Sequence, residues 1–482
     1  MKVLSLLLLA VSVLSSSYPG IRTSLTINSL TAYVKDILPN VISECKSTTI
    51  PPITFWVRPL FIPVKIQLSN FEIQDFTVDV SKTFISVNNA TKELYLTLSN
   101  VDLFLSAEYA YYVPFKVGGN FNLTLTNSTV IIPISIEVSK QKTLYVNVNS
   151  LLGDTSSLDI EIEPQGFVSK TFMILTKLWP LSRITSHAMN NMFNRLSTML
   201  NPYVNKYLNG MKYSDQVGNL AISGDYHFLM MNLDPLFIES YINGTFFLNN
   251  HLSADSPVVP SSLLPNYFSM SSVRVQITEY YFDSLMWALY QSNTLQMYIK
   301  SQDIPSNFPY IFTTTGFSKV APSLVTVYGP NVPINLECSV YKIPNIDIQK
   351  TVSLSASVAC NFLVQITPND VQNAFTVLST FQTNLIARLV QTNEQIFVVG
   401  SLDRTNTLFG DFSVVNSKVG TVNLAKISAA FNWYTYYLVN NVNNVLEDDG
   451  LLVPLPKGVV FKNAAFYIYP GAVEIGFEPV YP

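Results

Sequence analysis

Apolar side chains alternate with polar ones along most of the stretch from Thr54 to Pro164, and this period of two is the strongest constraint the chain carries. The runs Val64-Ile66-Leu68, Leu94-Leu96-Leu98, Phe121-Leu123-Leu125, Val130-Ile132-Ile134-Ile136-Val138, Leu144-Val146-Val148 and Leu158-Ile160-Ile162 each place one set on a single face of a strand. Gly118-Gly119, Thr126-Asn127-Ser128 and Gly153-Asp154 interrupt the runs and read as connecting loops, which predicts a long, meandering antiparallel sheet. Helical stripes flank it. Leu30, Val34, Ile37 and Val41 follow i, i+4, i+7, i+11, with Pro39 expected to kink the helix and Pro51-Pro52 to end the segment. Leu181, Ile184, Ala188, Met192, Leu196, Met199, Tyr203 and Tyr207 form a longer stripe after Pro164-Gln165-Gly166. A sheet curled around two amphipathic helices would bury both stripes.

The plan then repeats. Pro257, Pro260 and Pro265 mark a stiff connector. Val273-Val275-Ile277 alternate, Thr278 is placed to cap a helix through about Tyr290, and Tyr281, Leu285 and Leu289 lie on that helix's apolar face. Strands are expected from Leu295 to about Leu424, then a long helix from about Lys426 to Leu446 with Ile427, Tyr434, Leu438, Val442 and Val445 on one face. Strands Val459 to Phe466 and Ala472 to Phe477 close the chain around a Pro470-Gly471 turn. A length of 482 residues supports the same division, because single cores stop growing near ~250 to 300 residues.

Lys2, the apolar run Val3 to Leu14 and Ser15-Ser16-Ser17 have the charged, hydrophobic and small-residue regions of a secretory signal peptide, with cleavage expected near Ser16 or Ser17. The apolar run is too short to cross ~30 Å of hydrocarbon, and no later run reaches the ~18 residues a spanning helix needs. Asn89, Asn122, Asn127 and Asn243 each head an Asn-x-Ser/Thr triplet, open to glycosylation in a secretory lumen. An Asn-rich chain produces such triplets by chance, so about half are expected to be used.

With 28 Lys+Arg against 32 Asp+Glu and a formal charge of −4, the chain lacks the basic excess of a general nucleic-acid binder. Three cysteines are too few for a disulfide-built fold or a four-ligand zinc site. Cys338 continues Ile334-x-Leu336-x-Cys338-x-Val340, and Cys360 continues Val352-x-Leu354-x-Ala356-x-Val358-x-Cys360-x-Phe362, so both point inward. With a loop in Ile343 to Lys350 they can face each other across a hairpin, as a disulfide or as two buried thiols; Cys45 is left over.

No catalytic constellation emerges. His187, His227 and His251 are dispersed, and the chain contains no Gly-x-Ser-x-Gly elbow, phosphate-binding Gly-rich loop, His-Glu-x-x-His helix or Cys-x-x-Cys pair. Glu447-Asp448-Asp449 reads as a solvated helix end rather than a cation site. No catalytic residue, cofactor or metal is therefore expected. The amphipathic stripes have two readings: they seal a core, or they leave an apolar slot that would hold acyl chains at ~0.8 kcal/mol per buried CH₂.

The arrangement resembles the bactericidal/permeability-increasing, lipopolysaccharide-binding and lipid-transfer proteins of the tubular lipid-binding superfamily. Tyr18-Pro19-Gly20-Ile21 and Leu30-Thr31-Ala32-Tyr33 look like that family's N-terminus, and Leu200-Asn201-Pro202-Tyr203 resembles the end of its second helix. Thr278-Glu279-Tyr280-Tyr281-Phe282-Asp283-Ser284, with Tyr290-Gln291 and Asp303-Ile304-Pro305, resembles the start of its second barrel, and Leu455-Pro456 with the closing strands its C-terminus.

The resemblance implies an α+β fold: an elongated boomerang of two barrel-like domains, each a twisted antiparallel sheet with two long helices, joined by a central sheet. Mapped onto this chain, residues 1–17 are the signal peptide, 18–210 the N-terminal lipid-binding barrel and 211–265 the central sheet and linker. Residues 266–450 form the C-terminal lipid-binding barrel and 451–482 the closing strands. Candidate pocket linings are Leu30, Val34, Ile37, Val41, Met192, Leu196 and Met199 in the first barrel, and Tyr281, Leu285, Leu289, Leu438 and Val442 in the second. Two features depart from the family pattern. No cysteine lies between Cys45 and Cys338 to form the usual disulfide of the first barrel, and the chain is acidic where antibacterial members use basic residues to grip lipid A.

The implied function is that of a secreted or vesicle-lumenal protein holding phospholipid or a related lipid in two apolar pockets. It would meet membranes or lipid particles transiently to transfer that lipid. Recognition of bacterial lipopolysaccharide and a structural or adhesion glycoprotein without lipid are the alternatives.

Overall fold

The computed structural model describes residues 19–46, 52–57, 64–113, 115–149, 152–153, 158–164, 201–202, 205, 213–217, 219–249, 271–304, 308, 310–391, 396–449, 451–452 and 460–480. The fold is α+β and dominated by antiparallel sheet. The stretch 1–17 expected to be a signal peptide, the stripe with Met192, Leu196 and Met199, the prolines of the connector, His187 and His251 lie outside the described residues.

A first large sheet has eight strands, with Ile53–Val57, Val64–Thr77, Glu93–Val113, Phe115–Val138 and Leu144–Val148 as its main order. Its axis is the ladder between Glu93–Val113 and Phe115–Val138. The expected loops at Gly118-Gly119 and Thr126-Asn127-Ser128 are corrected here, because both lie inside one continuous strand. Opposite Ser128 the register shifts on either side of Val101, while Asn100 and Asn127 take left-handed φ values of 50° and 49°. Asn tolerates that conformation, so the polar break is a pair of irregularities of the kind that bends and twists a long ladder rather than ending it. The glycines allow close approach instead: a Cβ on Gly119 would stand 2.2 Å from the Glu163 carbonyl oxygen and 2.8 Å from the Tyr109 ring.

The second large sheet repeats the design around Val352–Thr367 and Asp370–Gln391, with Gln296–Ile299 and Ile334–Val340 on one side and Ile396–Leu402 and Leu451–Leu452 on the other. Asn345–Ile348 and Leu408–Val415 add to its long strands, giving eight in all.

A six-stranded sheet has the order Phe228–Leu233, Phe237–Ile242, Ile21–Thr26, Val273–Thr278, Ala472–Val480 and Val460–Tyr469. It draws in Ile21–Thr26 and Val273–Thr278, two strands grouped with the barrels on sequence alone. One face is apolar, with Leu25, Ile238, Val273, Ile475 and Phe477 buried. The other face is polar and also buried. Arg22 pairs with Glu239, whose second oxygen accepts from Asn232 Nδ2 at 3.2 Å and Tyr241 Oη at 3.1 Å. Arg274 Nη2 donates to Ser24 Oγ at 2.8 Å, and Gln276 Nε2 to a Glu474 carboxylate oxygen. Charges taken out of water are costly unless paired, and this face pairs them across strands from the start, middle and end of the chain.

Helix α1 (Ile27–Lys46) continues unbroken through Pro39, whose ring stands on the solvent side where water can take the freed carbonyl. Helix α2 (Glu279–Gln291) starts after Thr278 as expected, but Thr278 makes no side-chain cap. Its hydroxyl instead donates to the carbonyl oxygens of Pro19 and Gly20, both at 3.0 Å, which ties the chain start to the helix start. A short helix α3 (Leu324–Tyr328) and the long α4 (Leu424–Asp449) complete the described helices that matter below. No described helix is long and apolar enough to cross a membrane.

Candidate functional site

The inward alternation of the second large sheet brings Leu336, Cys338, Val358, Cys360 and Phe362 to one face, and α4 lays Ala430, Phe431, Tyr434 and Thr435 across from them. The irregular stretch holding Phe308, Phe312 and Phe317 closes a third side. These walls do not meet. They leave a cavity of 330 Å³ lined almost wholly by apolar atoms, within the size range of small-molecule sites.

The walls are aromatic. Phe317 meets Phe312 edge-on at 4.9 Å and Phe362 at 5.7 Å, while Phe362 stacks on Phe375 at 4.3 Å behind the lining. Phe409 contacts Phe381 at 5.1 Å and Phe431 at 5.3 Å, completing the far side. Offset and edge-on pairs of this kind add to plain area burial and leave few alternative packings. Cys338 and Cys360 sit directly opposite each other in register and form a disulfide, 4.1 Å between Cα atoms, with both residues in the cavity wall. The hairpin expectation holds in its disulfide form.

The polar residues of the lining are the exposed Thr294 and Gln296, the half-buried Ser339 and the buried Thr435, whose hydroxyl donates to the Phe431 carbonyl oxygen at 2.8 Å. Thr294, Gln296 and Met297 are exposed on or beside the edge strand Gln296–Ile299, which marks the open side. No Lys, Arg, His, Asp or Glu is among the described lining residues. Such a surface can exclude water and hold a hydrocarbon.

Leu30 and Val34 are fully buried and Ile37 half-buried in a core cluster that joins α1 to Ile85, Leu94 and Ile136 of the first sheet and Ile475 and Phe477 of the central one. Val41, one turn on, is 41% exposed. Tyr281, Leu285 and Leu289 pack with Trp287 and Ala288 against Ile222 and Phe246, in a small sheet of Ser214–Gln216, Ile222–Asp225 and Thr245–Leu248. Leu438 and Val442 lie on α4, but their side chains are outside the described set, as is that of Cys45. Leu30, Val34, Ile37, Val41, Tyr281, Leu285 and Leu289 are not among the described lining residues of the 330 Å³ cavity. Tyr434, on the same sequence stripe as Leu438, is.

The missed lining residues split by signal. Leu336, Val358 and Phe362 stood on inward alternations and could be found; Phe308, Phe312 and Phe317 follow no regular period. Of the glycosylation triplets, Asn89 and Asn127 are exposed, whereas Asn122 and Asn243 are half-buried.

Elsewhere, burial and then neighbouring Glu279 push the Asp283 carboxyl up to about 6, even though the Ile346 backbone N–H holds its charged form. His227 Nδ1 lies 2.6 Å from Asp225 Oδ1, its ring stacks on Tyr213, and Asn243 Nδ2 donates to the other Asp225 oxygen at 2.7 Å. This cluster orients a turn. Among the described residues no three His, Cys, Asp or Glu side chains are grouped to hold a metal.

Residues 236–481 match the model of the LBP / BPI / CETP family, C-terminal domain. Over 348 residues the chain is 24% identical to UPF0522 protein C of Dictyostelium discoideum, covering 64% of this chain and 65% of that protein, just under two thirds of its length. It is 22% identical over 398 residues to the bactericidal permeability-increasing protein of Rattus norvegicus, covering 78% of this chain and 76% of that one. The crystal structure of lipopolysaccharide binding protein superposes with a TM-score of 0.52 at 18% identity, covering 96% of this chain and 99% of that one, and shows a shared fold.

Proposed function

This chain belongs to the LBP / BPI / CETP family, and from that premise we propose that it is a secreted lipid-binding protein whose cavity shelters acyl chain from water. The observation that carries the reading is the 330 Å³ apolar, aromatic cavity with its uncharged lining and exposed polar rim. Burying hydrocarbon there releases ordered water at ~0.8 kcal/mol per CH₂ and asks nothing of the lining but shape. Phospholipid or a related lipid is the proposed cargo, carried between membranes or lipid particles, and binding rather than catalysis is the proposed activity. The hydrophobic leader at residues 1–17 and a disulfide, which persists in oxidising compartments, support passage through the secretory route.

Two relatives are named for lipopolysaccharide binding or bactericidal permeability. The apolar lining would accept the acyl chains of either lipid class, and phospholipid is the proposed cargo with lipopolysaccharide as the second reading. Ala430 lies on α4 in the cavity wall, 4% exposed, and Ala430→Trp would fill the space. Native mass spectrometry of the secreted, deglycosylated protein, followed by solvent extraction, should find lipid on the wild type and less on the folded Trp variant. A wild type that emerges without lipid and takes up none when offered would sink the reading.

A further inference from the structure

We propose that the cavity is also a site of sulfur chemistry: the Met297 thioether reduces the hydroperoxide of a peroxidised acyl chain held there, giving the alcohol and methionine sulfoxide. This rests on the reading that the cavity binds lipid, and adds an activity to it.

Strand register puts three sulfur-bearing side chains in one row. Met297, on the edge strand Gln296–Ile299, stands opposite Cys338, and Cys338 stands opposite Cys360 on the next strand. All three residues line the cavity. The row grades from wet to dry, with Met297 40% exposed, Cys338 8% and Cys360 1%. Met297 is the wet end because, among the described strands, none pairs with the outer side of Gln296–Ile299.

Oxidation state separates the row further. Cys338 and Cys360 are joined as a disulfide and have already given up their thiol electrons. Met297 is the one reduced sulfur among the described lining residues. A thioether is soft and polarizable, and peroxides convert it to the sulfoxide where it is exposed.

Polarity brings the substrate to it. Most of a lipid tail is at home between Phe308, Phe317, Phe362 and Phe431, but an –OOH group among those rings would lose its hydrogen bonds. At the open side, water and the exposed Thr294 can supply them. A peroxidised chain is therefore held with its hydroperoxide beside Met297, where fixed proximity replaces random collision.

The step balances without a further reagent. A sulfur lone pair attacks the terminal oxygen of C–O–O–H, the O–O bond breaks, and the proton ends on the oxygen that stays with carbon. Sulfur gives up two electrons and the peroxide takes them, leaving C–OH and the sulfoxide. Restoring Met297 needs a sulfoxide reductase, so without one each chain reacts once at this site.

The test uses the intact secreted protein, delipidated and kept with a metal chelator, and two oxidants, linoleic acid hydroperoxide and hydrogen peroxide. Peptide mapping by mass spectrometry reads sulfoxide at Met297 and at Met230, a half-buried reference on Phe228–Leu233 outside the described lining. From hydrogen peroxide to the lipid hydroperoxide, the ratio of Met297 to Met230 oxidation rates should rise about tenfold or more, with one hydroxylinoleic acid formed per Met297 sulfoxide. Excess unoxidised linoleic acid should abolish that rise, and so should Ala430→Trp, which fills the cavity; the competition needs no variant and holds if the Trp chain does not fold. Met297→Leu should lose most of the hydroxylinoleic acid that the wild type forms. An unchanged ratio in a protein that binds linoleic acid, or product undiminished in Met297→Leu, would overturn the inference and leave lipid binding standing. A protein that binds neither linoleic acid nor phospholipid by native mass spectrometry loses both readings.

Discussion

The buried pair Arg22 and Glu239 should behave as a unit whose halves are each worse than nothing alone. Arg22 is 7% exposed and Glu239 2%, the residues stand 217 apart in sequence, and the guanidinium also lies 5.4 Å from the Tyr241 ring. Burial pushes the Tyr241 hydroxyl up to about 12, which marks how poorly water reaches this face. In Arg22→Met the Glu239 carboxylate loses its paired cation and keeps the hydrogen bonds from Asn232 and Tyr241, with Arg274 nearby. Removing one member of a buried ion pair costs about 3–5 kcal/mol, a large part of the ~5–15 kcal/mol that holds a folded chain together. Replacing both, as Arg22→Met with Glu239→Leu, leaves no lone charge and should recover most of the loss.

Calorimetry gives the size of the effect, and hydrogen exchange of the Ile21–Thr26 amides shows whether it is felt in the central sheet. The expected order is wild type, then the double variant, then either single. A double variant as unstable as the two singles summed would show that Arg22 and Glu239 do not act through each other, and a single costing under about 1 kcal/mol would show that the site is wetter than it looks.

Replacing Cys338 and Cys360 together by Ala should cost about 3 kcal/mol, the loop-closure value for a separation of 22 residues, and calorimetry showing no loss would mean the strand pairing alone restrains the unfolded chain. Asp283, raised from 3.8 to about 6 by burial and Glu279, stabilises the fold most when protonated. Its contribution is fully present below pH ~4 and lost as pH rises through about 6, so Asp283→Asn should flatten that part of the stability profile in thermal scans from pH 4 to 8. A profile identical to wild type would place Asp283 in open water. Asn89 and Asn127 should carry glycans. Asn243 should not, because its amide holds Asp225 and the Thr245 hydroxyl of its triplet is buried 2.6 Å from Tyr280 Oη; peptide mapping after enzymatic deglycosylation in heavy-oxygen water would overturn this if Asn243 were labelled.

Strands were legible where a local period carried them. Leu94, Leu98, Phe121, Leu123 and Leu125 alternate in sequence and are buried in the structure, since successive side chains on a strand must point to opposite faces. The turn at Pro470-Gly471 was legible because Gly471 takes a φ of 82° that favours glycine. Asn127 misled, because a polar left-handed residue marks an irregularity within a ladder as readily as its end. Leu30, Val34 and Leu285 lie on apolar helix faces as the sequence predicts, yet they pack against sheets, and the described cavity lies on α4 at Ala430 and Phe431. An apolar face says that something covers it and not whether the cover fits.

By itself the sequence determined the α+β class, the repeated plan, the inward faces of Cys338, Cys360 and Phe362, and the family resemblance, because each depends on neighbours within a few residues or on the order of short motifs. Only the tertiary structure decided that Ile21–Thr26 would sit between Phe237–Ile242 and Val273–Thr278, pairing Arg22 with Glu239 out of water. It alone decided that the Phe308 to Phe317 stretch and α4 would stop short of the second sheet and leave 330 Å³ between them. Both outcomes depend on volumes and charges meeting across long separations, which no local period encodes.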